Sequence, residues 1–155
     1  MSIYNIVATN GIRALGTIYP TTSKEVMFDE LWIAKKYSEA LNSFPDKWKW
    51  YGEDIENEAI TDIPGIAFSG IIFSEKAYKA LYPIFKNDFE YEHKIEIDGL
   101  VYMWLSVPII SQDEVMHTKH SVYKVKPLYK TYVTESFVKL CRDNNLTGRD
   151  FVKVK

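Results

Sequence analysis

Four carboxylates fall within one short stretch at Glu53, Asp54, Glu56 and Glu58, directly after Trp48, Trp50 and Tyr51. Paired carboxylates do acid–base work only in a dry cleft that raises the pKa of one of them. In so polar a stretch water keeps them ionised, and their chemistry is that of a negative surface carrying rings. Such a surface suits a basic partner: charge speeds the encounter and buried rings prolong the contact. The other reading is a solvated loop whose tryptophans fold back into the core. A second acidic series runs through Asp88, Glu90, Glu92, Glu96 and Asp98. In a strand these five share one face, interrupted by Lys94, with Phe89, Tyr91, Ile95 and Ile97 on the other. That face is either an ordinary wet side of a sheet or a flat negative platform.

Other reactive types give less. His117 and His120 have a spacing that could hold a metal in a helix, but no further fixed ligand accompanies them, so an exposed loop is expected. Cys141 is the only cysteine and falls in a helical apolar pattern, which reads as a buried thiol and excludes an intrachain disulfide. Serines, histidines and acids are present without a nucleophile elbow, a P-loop, a Gly-rich dinucleotide turn or His-Glu-x-x-His. No catalytic residue, metal or cofactor is expected.

The charge is uneven. Glu53 to Glu114 holds thirteen acids against four lysines, a net of −9, and Lys119 to Lys155 holds nine bases against three acids, a net of +6. The acidic middle argues against a general nucleic-acid binder, and the basic end shows no arginine cluster. Aromatic residues make up 15% of the chain, more than a small core usually needs; the rings either pad the core and its rim or supply a binding surface. The start of the chain lacks a basic, then apolar leader, and no apolar run approaches a membrane span, so a soluble cytoplasmic protein is expected.

The elements that must position these residues follow from local signals. A β-rich stretch twice gives way to a helix at a hydroxyl residue followed by an acid: Ser74-Glu75 and Thr134-Glu135. The hydroxyl caps the helix and the acid suits its N-terminal dipole. Helices are therefore predicted over Ser74 to Tyr82, with Pro83 just beyond, and over Thr134 to Asn144. A looser helical spacing runs from Asp29 to Leu41, after a loop at Thr21 to Ser23. Strands are predicted over Ser2 to Thr9, Ile66 to Phe73, Phe89 to Ile97, Leu100 to Val107, Val122 to Val125, Leu128 to Val133 and Phe151 to Val154. Asn10-Gly11 and Pro64-Gly65 are turns, Asp98-Gly99 is a hairpin turn, and Asp46 to Asp62 is irregular. Strands and helices mix without βαβ alternation. The expected fold is α+β, one domain over residues 1–155, with a mostly antiparallel sheet and two or three helices.

The order of these pieces in the second half resembles a known family. An apolar strand leads to Ser74-Glu75, then an acidic strand pair turns at Asp98-Gly99, with Tyr102 on the returning strand. Tyr132-Val133-Thr134-Glu135-Ser136-Phe137 and Asn145-Leu146-Thr147-Gly148-Arg149-Asp150-Phe151 close the chain. This resembles the immunity proteins of bacterial polymorphic toxin systems, in particular the family with a C-terminal Val-Ser-x-x-Phe … Leu-Thr-Gly-x-x-Phe signature. Thr134 stands where that family usually has Ser, a mild change because either caps. The likeness covers Ile71 to Lys155, and residues 1–70 take no part in it. It implies a protein that binds and neutralises a cognate toxin domain acting in the cytoplasm, in competition between bacteria that deliver toxins by contact or by type VI secretion. It implies no catalysis and a contact surface that differs between relatives. On the residues alone the expected contacts are Trp48, Trp50, Tyr51, Glu53, Asp54, Glu56, Glu58, Asp88, Glu90 and Glu92, covering a basic cleft of the toxin, with no membrane or nucleic-acid partner. The rivals are a small enzyme with an unfamiliar site and a weak nucleic-acid contact through the basic end.

Overall fold

A computed structural model describes residues 2–17, 48–66, 70–128 and 130–155. The helix expected over Asp29 to Leu41 and the loop at Thr21 to Ser23 lie outside the described residues. Strand β1 (Ile3–Ala8) turns at Asn10-Gly11 into β2 (Ala14–Thr17). Strands β3 (Trp48–Tyr51), β4 (Gly65–Ile66) and β5 (Ile71–Ser74) lead to helix α1 (Glu75–Phe85). The hairpin of β6 (Glu92–Ile97) and β7 (Leu100–Leu105) follows, then β8 (Ile109–Ile110), a 3-10 turn at Gln112–Glu114 and β9 (Val122–Val125). Strand β10 (Lys130–Thr134) runs into helix α2 (Glu135–Asp143), and β11 (Arg149–Lys153) comes last. Three sheets result, in the orders β11-β1-β10-β9-β8, β3-β2-β4 and β5-β7-β6. The pairings are antiparallel except β2 with β4 and β8 with β9. The fold is α+β, as the mixture of periods predicts.

Both strand-to-helix junctions form as capped helices. The Ser74 hydroxyl accepts from the Ala77 N–H at 3.1 Å, and the Thr134 hydroxyl accepts from the Phe137 N–H at 3.5 Å. At eleven and nine residues these helices are too short to persist alone in water, so packing must hold them. It does: Ala77, Leu81 and Phe85 of α1 and Phe137, Val138 and Cys141 of α2 enter one core with Ile71, Phe73 and Leu105 of the central sheet (β5-β7-β6) and Val122 and Val133 of the five-stranded sheet. Burial pushes the Cys141 thiol up to about 12, which makes it an inert apolar group. Phe85 also corrects the helix boundary. The helix runs through Pro83 rather than stopping before it, because Phe85, only 1% exposed, gains its burial from the extra turn while Pro83 stays outside. A fully buried Phe is worth about 1.5–3 kcal/mol, comparable to the roughly 3 kcal/mol that an interior proline costs.

Helix α2 ends on Asn145, whose φ is +52°. The Leu146 N–H donates to the Cys141 carbonyl and the Asn145 N–H to the Arg142 carbonyl, which is the Schellman pattern with Asn in the left-handed position. Leu146 then packs against the core.

The second face of the central sheet buries Ile72, Ile95, Ile97, Tyr102 and Trp104 against Leu15 and Trp50 of the small sheet. The run expected as one strand from Ile66 to Phe73 is divided between two sheets: Gly65–Ile66 pairs with β2, and Ile71–Ser74 pairs with β7. Gly70 lies between them at φ +98°, its α-carbon so close to the Trp104 indole that no side chain fits.

Candidate functional site

The stretch from Asp46 to Asp62, read as irregular from sequence, begins with a strand. Trp48 to Tyr51 pairs along its length with β2, and alternation sends Trp50 inward. Trp50 is 8% exposed, meets Tyr102 edge-on at a centroid distance of 5.8 Å, and donates its indole N–H to Asp98 Oδ2 at 3.0 Å. It is a core residue, not an exposed anchor. Trp48 is half-buried against the same cluster, and Tyr51 remains on the surface with the Lys49 ammonium over its ring at 4.5 Å.

The carboxylates after β3 divide in the same way. Glu58 turns back into the loop: its Oε1 accepts from the Glu53 N–H at 3.2 Å and the Asp54 N–H at 3.4 Å. A Cβ on Gly52 would overlap this carboxylate and displace it. The Asp54 carbonyl accepts from the Asn57 and Glu58 N–H groups, both at 3.0 Å, and the Asp54 carboxylate holds the Asn57 amide at 2.7 Å. The Arg13 guanidinium donates to the Glu58 carbonyl at 3.1 Å. Glu58 is therefore a structural strut, while Glu53, Asp54 and Glu56 stay exposed on a loop of fixed shape. Ile55 packs down on the cluster that contains Ile97 and Tyr102. With the Trp50–Asp98 bond, this places the acidic loop beside the tip of the β6–β7 hairpin.

The second acidic series does not form one platform. Strand β6 begins at Glu92, so the alternation holds for Glu92, Lys94 and Glu96, which are exposed, against Ile95 and Ile97, which are buried. Glu92 accepts from the Tyr78 hydroxyl at 2.8 Å; burial first, and then this carboxylate, push Tyr78 up to about 12. Lys94 bridges to Glu96 at 2.8 Å and holds that carboxyl below its ordinary range. Before Glu92 the chain is still leaving α1. The Glu90 and Tyr91 N–H groups donate to the Ser106 hydroxyl at 3.1 and 3.0 Å, and Asp88 just before them turns inward. Phe89 joins the helix-side core and Tyr91 the other cluster, so these two rings do not share a face.

Asp88 lies in a cleft of about 550 Å³ whose walls include Glu90, Ser106, Pro108, Glu114 and His120. Its side chain is only 7% exposed; one oxygen meets His120 Nδ1 at 2.9 Å and the other accepts from the Ser121 N–H at 2.8 Å. His120 lies in a loop, as its neighbours suggested, and it is also the partner of a buried carboxylate thirty-two residues away. No sequence signal links the two. Among the described residues no group of three His, Cys, Asp or Glu side chains is arranged to hold a metal ion, and no helix is long and apolar enough to cross a membrane.

The signature residues of the C-terminal end are structural. Asp62 accepts from the Ser74 hydroxyl at 2.7 Å with one oxygen, and from the Thr147 N–H at 3.1 Å and hydroxyl at 3.3 Å with the other. The Ile63 N–H donates to the Thr147 carbonyl at 2.9 Å, and Arg149 donates to the Pro64 carbonyl at 3.0 Å. Comparison of the chain with protein-family models, with characterised proteins and with solved structures gives no match.

Proposed function

We propose that this protein is an immunity-type inhibitor that binds a cognate toxin domain through the acidic end of the molecule. The observation that carries the reading is the loop from Gly52 to Glu58, pinned by its own hydrogen bonds while Glu53, Asp54 and Glu56 face solvent. A fixed loop loses little conformational entropy on binding, and like charges held in the open attract a basic cleft. Tyr51, Glu96 and Asp98 extend the same end, because Trp50 ties the loop's strand to the hairpin tip. The order of capped helices and closing signature supports the immunity reading without locating its surface. On this reading the partner acts in the cytoplasm, and the inhibitor covers its active-site cleft.

The test uses the toxic domain encoded beside this gene. Co-expression should protect cells, and the purified pair should associate. Reversing Glu53, Asp54 and Glu56 to lysine should slow association by about tenfold or more at low salt, within the range over which charge steers encounter. An unchanged association rate would sink the site assignment, and loss of protection with every neighbouring toxin would sink the function.

One observation favours a small acid–base enzyme as the second reading: the Asp88–His120 pair at a cleft of about 550 Å³. In the tautomer that donates Nδ1–H to this carboxylate, Nε2 is left as an acceptor, the arrangement of a general base. If the cleft served only the fold, His120→Asn would leave every assayed turnover unchanged. At the basic end Lys124 is buried, Arg149 is half-buried and Lys139 is paired with Asp143, while Lys119, Lys126, Lys130, Arg142, Lys153 and Lys155 are exposed.

A further inference from the structure

Strand β9 reads Val122-Tyr123-Lys124-Val125, and all four residues are buried. Alternation places Val122 toward the main core, and Tyr123 and Val125 toward a separate cluster with Ile110. Lys124 shares the face of Val122, the inner face of the five-stranded sheet, and is only 9% exposed. Its ammonium donates to the hydroxyl of Thr131, its cross-strand neighbour, at 3.1 Å. Two of its three N–H bonds have no acceptor among the described residues.

Arg149 faces the same place. The two cations line a cavity of about 230 Å³ whose remaining walls include Thr131, Ile6, Ile63 and Ile71. Arg149 spends one N–H on the Pro64 carbonyl, and none of the ion pairs among the described residues includes either cation. Burial, and then the charge of Arg149, push Lys124 down to about 8, so at neutral pH the ammonium is still charged. An ion buried without a counter-charge strongly opposes folding, and here two like charges share one hollow that no carboxylate of the described residues lines. An apolar residue at position 124 would suit that face of the sheet better, so the lysine is not there for packing.

We infer that the cavity between Lys124, Arg149 and Thr131 binds a small organic oxyanion, a carboxylate or phosphate group carried on an apolar body. The ammonium and guanidinium supply charge-assisted donors to the oxyanion, and the isoleucines cover the body. The volume lies below the ~300–1,000 Å³ of pockets for drug-sized ligands, which sets the scale at a few heavy atoms. The site does not depend on the inhibitor reading.

The experiment is calorimetric titration of the whole chain at pH 7 and constant ionic strength, in chloride buffer, with phosphate, acetate and butyrate in separate runs. Saturable one-to-one binding of at least one of them is expected. Butyrate above acetate identifies the carboxylate arm, and phosphate above both identifies the phosphate arm. Lys124→Met should lose affinity by about tenfold or more, the scale of one charge-assisted hydrogen bond, and should melt higher than the wild type without anion. Lys124→Gln carries the same affinity readout if the methionine variant does not fold. Lys124→Arg should keep binding. Absence of saturable binding by all three anions, or equal binding by the neutral variants, overturns the proposal. A lower melting temperature of Lys124→Met with no binding by the wild type also overturns it, since the ammonium would then have a partner in its own chain.

Discussion

Asp62 joins parts of the chain eighty-five residues apart. One carboxylate oxygen holds the hydroxyl that caps α1, and the other holds the backbone and side chain of Thr147. Removing it leaves several donors without their charged acceptor. Asp62→Ala should therefore cost about 2–3 kcal/mol in urea denaturation, and Asp62→Asn less, because the amide oxygen can still accept. Lys124 makes a prediction of the opposite sign. Its folded pKa is about 8 against an ordinary 10.5. The unfolded chain therefore keeps this proton above pH 8 while the folded chain releases it, and stability rises with pH. Cys141 acts the other way above its ordinary 9.0, because the folded thiol is held near 12. The window for Lys124 is thus pH 8 to 9. In chloride buffer the wild type should gain stability there relative to Lys124→Met, and a flat difference would contradict the burial of the charge. The inward turn of Trp50 was one of the two readings the sequence offered, but its partner Asp98 and the pairing of Asp88 with His120 were not legible, since each partner lies more than thirty residues away.

At the scale of elements, local chemistry was legible. Ser74 and Thr134 cap because a hydroxyl, an acid and an apolar helical spacing lie within a few residues of one another. The Asp98-Gly99 hairpin forms for the same reason, with both residues at positive φ. What local signals missed were short strands made by distant partners: β3, the division of β4 from β5, and the parallel pairing of β8 with β9. Glycines separate the two kinds of constraint. Gly99 has φ +76° and open space around it, so Gly99→Ala should cost about 1 kcal/mol, the strain of a left-handed backbone alone. Gly148 has φ +114°, and a Cβ there would overlap the Thr61 hydroxyl and lie 2.5 Å from the Ile63 carbonyl. Gly148→Ala should cost at least about 3 kcal/mol by the same measurement, strain and overlap together. Equal costs at the two sites would mean that the closing signature does not press on residues 61–63.

For the whole molecule, the α+β class was legible from mixed periods, and the acidic middle and basic end from counting. Where those charges sit was not. The acids read as either a wet sheet face or one platform occupy two places separated by the length of β6, about 20 Å from Glu92 to Asp98 at the rise of an extended strand. Two cations of the basic end, Lys124 and Arg149, line one cavity. The inhibitor reading thus belongs to one end only. Charge reversal at the exposed Glu90 should leave the association rate of the toxin complex within about twofold of wild type, against the slowing expected at Glu53, Asp54 and Glu56. The Thr147–Asp62–Ser74 joint has a consequence of its own. Amide protons on either side of it, at Ile63, Ala77 and Leu146, should exchange with deuterium at one shared opening free energy, because the last loop cannot lift away without uncapping a helix that begins half the chain earlier.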